Sequence, residues 1–171
     1  AQSRTIEEYL LRQNLPYVIY GGVRFYERLE IKNVISYLRL IVNRNDNSAF
    51  ERSIGVPTRG IGEKTLETIR AYGTEHELSL FNSCKGLIKD QTIKGKAANS
   101  LQLFINFIEN CAETINDFPS DEFVEKVINQ SGLIEHKMKE KGEKGRIRIE
   151  NINELISALK SFELINKHED L

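Results

Sequence analysis

Lys94-Gly-Lys-Ala-Ala-Asn-Ser-Leu-Gln-Leu-Phe-Ile-Asn-Phe-Ile-Glu-Asn-Cys-Ala-Glu-Thr-Ile115 carries Ala97, Leu101, Phe104, Ile105, Ile108 and Ala112 at intervals of three and four residues. An α-helix returns to the same face at that interval, so the stretch predicts a helix of about 94–115 that buries one stripe. The same period recurs on both sides. Ile31, Val34, Ile35, Leu38 and Ile41 mark a helix from Glu27 to about Val42, and Leu66, Ile69 and Tyr72 mark another that opens at Gly60-Ile61-Gly62 and stops near Gly73. A short helix is expected around Ser48 to Ser53, broken by Val56-Pro57, and Ser79 is placed to cap one running through about Leu87. Asp121 to Gln130 ends at Ser131-Gly132, a good helix stop. Lys141 to Gly145 reads as a charged loop, and a last helix carrying Ile149, Ile152, Leu155, Ile156 and Leu159 reaches about Phe162 before a polar tail. From Glu27 onward the fold is expected to be all-α.

The beginning reads differently. Ile6, Leu10 and Leu11 give Thr5 to Gln13 a helical period, and Pro16-Tyr-Val-Ile-Tyr20, aromatic and β-branched, reads as a strand closed by Gly21-Gly22. Residues 1–22 are therefore expected to be the remnant of an α/β neighbour, with residues 23–171 forming a helical domain. A length of 171 residues suits one compact unit. With 40% hydrophobic and 29% charged residues, the composition excludes a disordered or membrane-spanning class. The opening Ala-Gln-Ser-Arg lacks the basic-then-apolar order of a secretory leader, so the chain is expected to be cytoplasmic, and to be cut from a longer protein. Cys84 and Cys111, far apart and on expected helices, read as buried free thiols.

Several chemistries lack their residues. No glycine-rich loop ends in Lys-Ser/Thr, the pattern that would hold nucleotide phosphates, and His76, His136 and His168 are isolated from one another. No nucleophile motif of the Gly-x-Ser-x-Gly kind occurs, and no carboxylate pair is singled out for acid–base work. The chain is expected to have no catalytic residues, no metal and no cofactor of its own.

What stands out is Thr58-Arg59-Gly60-Ile61-Gly62-Glu63-Lys64-Thr65, two glycines around an apolar residue immediately before a helix. Such a turn exposes backbone N–H groups at the positive end of the helix dipole, which favours an anion such as a phosphate, and Arg59, Lys64 and Thr65 can add direct contacts. This is the arrangement of helix-hairpin-helix modules, which touch the nucleic-acid backbone and so bind without reading sequence. The same spacing also suits a plain helix-starting loop, and Glu63 opposes an anion. Arg28, Lys32 and Arg39 add a basic stripe on one face of the preceding helix, although with Glu27 and Glu30 nearby it also suits a solvated surface. Residues 24–70 hold nine Lys/Arg against six Asp/Glu while residues 71–171 hold thirteen against seventeen, so a polyanion site is expected in the first half.

Gln2-Ser3-Arg4, Pro16-Tyr17, Tyr20 through Arg28, Glu30-Ile-Lys32, Tyr37-Leu-Arg-Leu40, Pro57-Thr-Arg-Gly-Ile-Gly62, Glu143-Lys-Gly145 and Arg148-Ile-Glu-Asn151 closely resemble superfamily 1 DNA helicases of the UvrD/PcrA/Rep type, most of all the bacterial UvrD branch. The resemblance covers nearly the whole chain. It implies a parent that moves 3′ to 5′ using ATP and Mg and serves DNA repair, with this segment as the helical accessory insertion called 2B, preceded by about twenty residues of motor domain 2A. By the same resemblance Thr58, Arg59, Gly60, Ile61, Gly62 and Thr65, with Lys32 and Arg39 as neighbours, contact duplex DNA at a single-strand/duplex junction. The family's ATP-contacting residues fall outside these residues, so the segment alone is expected to be inactive. Its other implied partners are the motor domains of the same polypeptide and mismatch- and excision-repair proteins, with no membrane. The acidic second half and the charged 141–145 loop leave open a second reading, a regulatory protein-interaction module of the helicase.

Overall fold

In the computed structural model, which describes Phe25, residues 27–138 and residues 142–169, every regular element is helical. The helix and strand expected at Thr5–Gln13 and Pro16–Tyr20, and with them the proposed boundary near residue 22, lie outside the described residues. Where the length suggested one compact body, the chain divides into two: Ser36–Ala112 form one unit, and the described residues up to Ile35 together with those from Glu113 onward form the other. Among the described residues no helix is long and apolar enough to cross a membrane.

The Ser36–Ala112 unit is built from the second half of α1 (Leu29–Val42), α2 (Asn47–Ile54), α3 (Glu63–His76), α4 (Leu80–Lys89) and most of α5 (Gly95–Thr114). Two of its helices start where side chains can satisfy the free N–H groups of a first turn. Asp46 accepts the Ala49 amide at 3.0 Å to open α2, and Ser79 accepts the Asn82 amide at 3.2 Å to open α4. Asn47 on α2 also accepts the Leu80 amide at 2.9 Å, tying the starts of α2 and α4 together. The expected stripe on α5 supplies the middle of the core: Leu101, Phe104, Ile105 and Ile108 are buried, with Phe104 edge-on to both Tyr37 and Phe50. Cys84 and Cys111 are free and buried, as expected. Burial pushes the Cys84 thiol up to about 12.

One boundary differs for a reason that spacing does not reveal. α3 does not stop at Gly73 but continues to His76, where Glu77 turns left-handed at φ 54° and its amide bonds back to the Gly73 carbonyl. A Cβ on Gly73 would lie 2.8 Å from the Leu78 carbonyl oxygen and 2.9 Å from Ser83 Oγ. The glycine serves the close approach of α4, not helix termination. Alanine is the better helix former by about 0.8–1 kcal/mol, but overpacking costs roughly 1–3 kcal/mol and one of the obstructing atoms is backbone. Gly73→Ala is therefore expected to destabilise the unit, read as a lower midpoint in urea unfolding. Gly86→Ala is also expected to destabilise, because its Cβ would meet the hydroxyl and ring of Tyr72, which is stacked on His76.

The second unit holds Phe25, the first half of α1, a 3-10 turn at Ile115–Asp117, α6 (Ser120–Ser131), α7 (Leu133–Met138) and α8 (Glu143–Glu169). α6 ends as expected at Gly132, left-handed at φ 84°, and the chain enters α7, a helix the periodicity did not single out. α8 begins inside the expected 141–145 loop and runs past Phe162, since from Arg146 to Glu169 it meets neither glycine nor proline. Ile152, Leu155 and Leu159 of α8 and Phe123, Val124, Val127 and Ile128 of α6 are buried where those helices pack.

Candidate nucleic-acid interface

The segment from Gly55 to Gly62 leaves α2 at its C-cap and returns the chain to the start of α3. Gly60 sits at φ 74°, a backbone region that side chains with a Cβ enter at a cost, so glycine is required there for conformation. Gly62 is different. Its φ of −91° and ψ of 178° are open to any residue, and a Cβ built on it meets nothing within 4 Å. As the N-cap of α3 it brings no side-chain acceptor to the first-turn amides, and the first bond of the helix runs from the Leu66 amide to the Gly62 carbonyl at 3.1 Å. The turn is thus an exposed stretch of backbone: Gly60, Gly62, Glu63 and Lys64 are all exposed, Thr58 is exposed, and Ile61 and Thr65 are half-buried.

Glu63, the acid that opposes an anion here, has a counter-charge. Arg70 Nη1 reaches Glu63 Oε1 at 2.7 Å, while its Nη2 and Nε reach Glu51 Oε1 at 2.5 and 2.6 Å. The hydrogen bonds that Arg70 donates to the two carboxylates, first to Glu63 and then to Glu51, raise its pKa above the ordinary value.

Arg59 does not reach outward as the sequence reading had it. Its Nη1 lies 2.8 Å from the Ser53 carbonyl, 3.1 Å from that of Ile54 and 3.1 Å from that of Pro57, and its Nη2 donates to the Tyr37 hydroxyl. The guanidinium carbon stands 4.8 Å from the centre of the Phe104 ring and 5.7 Å from that of Tyr37. Tyr37, fully buried, donates in turn toward the carbonyls of Ser53 and Val56. Burial pushes the Tyr37 phenol above its ordinary range, against the opposing pull of Arg59. The last carbonyls of α2 lack the next turn's amides, and Arg59 adds hydrogen bonds to them, sharing that of Ser53 with Tyr37 and the Val56 amide. Its role is to hold the segment that leads into the turn.

The basic stripe is also divided. Lys32 and Arg39 are exposed on α1, but Arg28 donates through Nη1 to Asn151 Oδ1 at 2.6 Å, within the unit that contains α8. Arg39 lies two residues beyond Tyr37, some 200° around the helix by the turn angle of about 100° per residue, and so projects from the side of α1 opposite the one that Arg59 and the 53–57 carbonyls contact. Lys32 belongs to the other unit. Lys64 is the exposed cation next to the turn itself.

A family model described as UvrD-like helicase C-terminal domain matches residues 1–171. The chain belongs to that family. DNA helicase II of Escherichia coli strain K12 is 47% identical over all 171 residues, which span 24% of that relative. DNA helicase II of Haemophilus influenzae is 44% identical over 162 residues, covering 95% of this chain and 22% of the relative. The ATP-dependent DNA helicase PcrA of Bacillus subtilis is 39% identical over 170 residues, covering 99% of this chain and 23% of the relative. The chain thus spans about a quarter of the length of these relatives.

In this UvrD-like helicase C-terminal segment, two groups stand out among the described residues that carried the resemblance. Pro57 through Gly62 surround the exposed turn. Glu30 and Asn151, by contrast, are buried partners: Asn151 Nδ2 donates to Glu30 Oε1 at 2.6 Å, and Arg148 Nε stands 3.9 Å from Glu30 Oε2. Residues some 120 positions apart thereby form one polar cluster. Spacing alone missed that cluster, as it missed Tyr37 as the anchor of Arg59. The signal available for both was the pair of short motifs, which named the residues but not their contacts.

Proposed function

We propose that this chain is the duplex-contacting accessory domain, 2B, of an ATP-dependent 3′–5′ DNA helicase that acts in DNA repair, and that it grips phosphates without reading sequence. The single observation that supports this best is the exposed Gly60–Gly62 turn: Gly62 is required neither by its backbone conformation nor by its neighbours, as expected where an external group comes close to the main chain. The free amides at the start of α3 and the Lys64 ammonium then meet phosphate oxygens at a single-strand/duplex junction. Gly60 and Ile61 shape the turn, Thr58 and Thr65 flank it, and Arg59 braces it from behind. On this reading ATP and Mg act elsewhere in the polypeptide, this sequence having no P-loop pattern. The motor domains supply the force and this segment supplies the hold on the duplex.

Substitution at Gly62 separates fold from function. Gly62→Ser is expected to leave thermal stability unchanged or to raise it by a few tenths of a kcal/mol, because serine can cap α3, while weakening duplex binding by standing where the phosphate comes. Lys64→Ala should lower the slope of log affinity against log salt by about 0.9, the value for one phosphate contact. Titration of a labelled duplex with a single-stranded tail at several salt concentrations measures both effects. Unchanged binding in the two variants would remove the turn from the interface.

A further inference from the structure

A glutamate at the first position of a helix has a partner within its own turn. Every Cα–Cβ bond tilts toward the helix N-terminus, so an unrestrained first-turn carboxylate comes to rest near the free amides and the positive end of the dipole. Glu63 holds that position in α3, directly after the glycine turn, and with its side chain 68% exposed it is sterically free to take up that contact. It is bonded elsewhere. Glu63 Oε1 accepts from Arg70 Nη1 at 2.7 Å, seven residues further along the same helix. Seven residues rise about 10.5 Å and return to within about 20° of the same face, so this bond draws the carboxylate along α3, away from the end where the amides are free.

Arg70 is fixed in turn from a second helix. Its Nη2 and Nε reach Glu51 Oε1, on α2, at 2.5 and 2.6 Å. A planar guanidinium can serve two carboxylates in this way because its donors leave in fixed, separate directions. The arrangement resolves a conflict of charge. An acid in the first turn stabilises a helix through the dipole, but at the same place it opposes any outside anion.

We infer that Arg70 is a positioning residue for the glycine turn: anchored on Glu51, it holds the Glu63 carboxylate back so that the amides at the start of α3 stay open to a phosphate. The inference rests on the proposed contact between this turn and the duplex, and concerns how that contact is kept accessible. Once the guanidinium is removed, Glu63 becomes an internal competitor, accepting from the amides that a phosphate oxygen uses and repelling the phosphate as it approaches.

The test is a double-mutant cycle on the 171-residue chain: Arg70→Met, Glu63→Ala and the two together, with a labelled tailed duplex titrated at low salt and the thermal unfolding midpoint showing that each variant folds. Arg70→Met alone is expected to weaken binding about two- to fivefold, the range for one anion at a helix N-terminus. In the Glu63→Ala background the same change is expected to have no effect, because the carboxylate that Arg70 restrains is gone. A guanidinium that touched phosphate itself, or that only supported the fold, costs as much in one background as in the other. Equal losses therefore overturn the inference and leave the turn reading in place. Unchanged affinity in Arg70→Met, with binding weakened by Gly62→Ser together with Lys64→Ala, has the same consequence. If that Gly62 and Lys64 variant binds as the unaltered chain does, or the unaltered chain does not bind at all, the turn reading fails and the inference falls with it.

Discussion

Arg59→Ala is expected to destabilise the Ser36–Ala112 unit by about 3 kcal/mol. Three carbonyls at the end of α2 and the segment after it, those of Ser53, Ile54 and Pro57, take their hydrogen bonds from one nitrogen of this side chain. A hydrogen bond from a charged group is worth roughly 1.5–3 kcal/mol, and the stacking over Phe104 adds about 0.5–1; sharing of one nitrogen and partial exposure of the side chain keep the total well below the sum. Tyr37 loses the partner that accompanies its hydroxyl in the core. For a chain of this size the loss corresponds to a fall of about 6–12 °C in the unfolding midpoint. Arg59→Lys should recover only a part of it, because an ammonium cannot serve carbonyls and a ring face in the planar way a guanidinium does. A midpoint within about 2 °C of the unaltered chain would show that the guanidinium is not engaged as described. Because Arg59 braces the turn, this variant is also expected to weaken the proposed duplex binding, so it cannot by itself assign a DNA contact; Lys64 and Gly62 can.

The same residue shows what could and could not be read from sequence. Leu101, Phe104, Ile105 and Ile108 were legible because burial imposes a period on a helix, and the period survives whatever packs against it. Gly132 was legible as a stop because the left-handed conformation it takes is one that glycine accepts at low cost. Gly73 was misread by the same rule. A glycine inside a helix and one at its end look alike in sequence, and only the presence of Leu78 and Ser83 within 3 Å of its missing Cβ distinguishes them. Arg59 was misread because charge says nothing about direction: a guanidinium on a loop meets solvent or the open end of a neighbouring helix with equal sequence cost. The exposure of the glycine turn was legible, because glycines around an apolar residue before a helix are turn chemistry, but the role of Gly62 was not, since its conformation is open to any residue.

In the unit that contains α8, Asn151→Leu is expected to cost about 2–4 kcal/mol although it keeps the branched shape of the side chain and increases hydrophobicity. Asn151 is 8% exposed and Glu30 is 5% exposed. The amide group donates to Glu30 at 2.6 Å and accepts from Arg28 at 2.6 Å, so one side chain links a buried carboxylate to a half-buried guanidinium. Leucine removes both bonds at once and leaves the Glu30 oxygen facing hydrocarbon, with Arg148 at 3.9 Å too distant to replace a hydrogen bond. The desolvation of a charged group then outweighs the roughly 1 kcal/mol gained by burying extra apolar surface. Asn151→Asp separates the two bonds: it keeps the acceptor for Arg28 but sets a carboxylate against Glu30, so at neutral pH it should destabilise more than leucine does. Urea unfolding followed by helical circular dichroism ranks the three chains. An order in which aspartate is the milder change would mean that the bond to Arg28, not the one to Glu30, holds this end of α1 against α8.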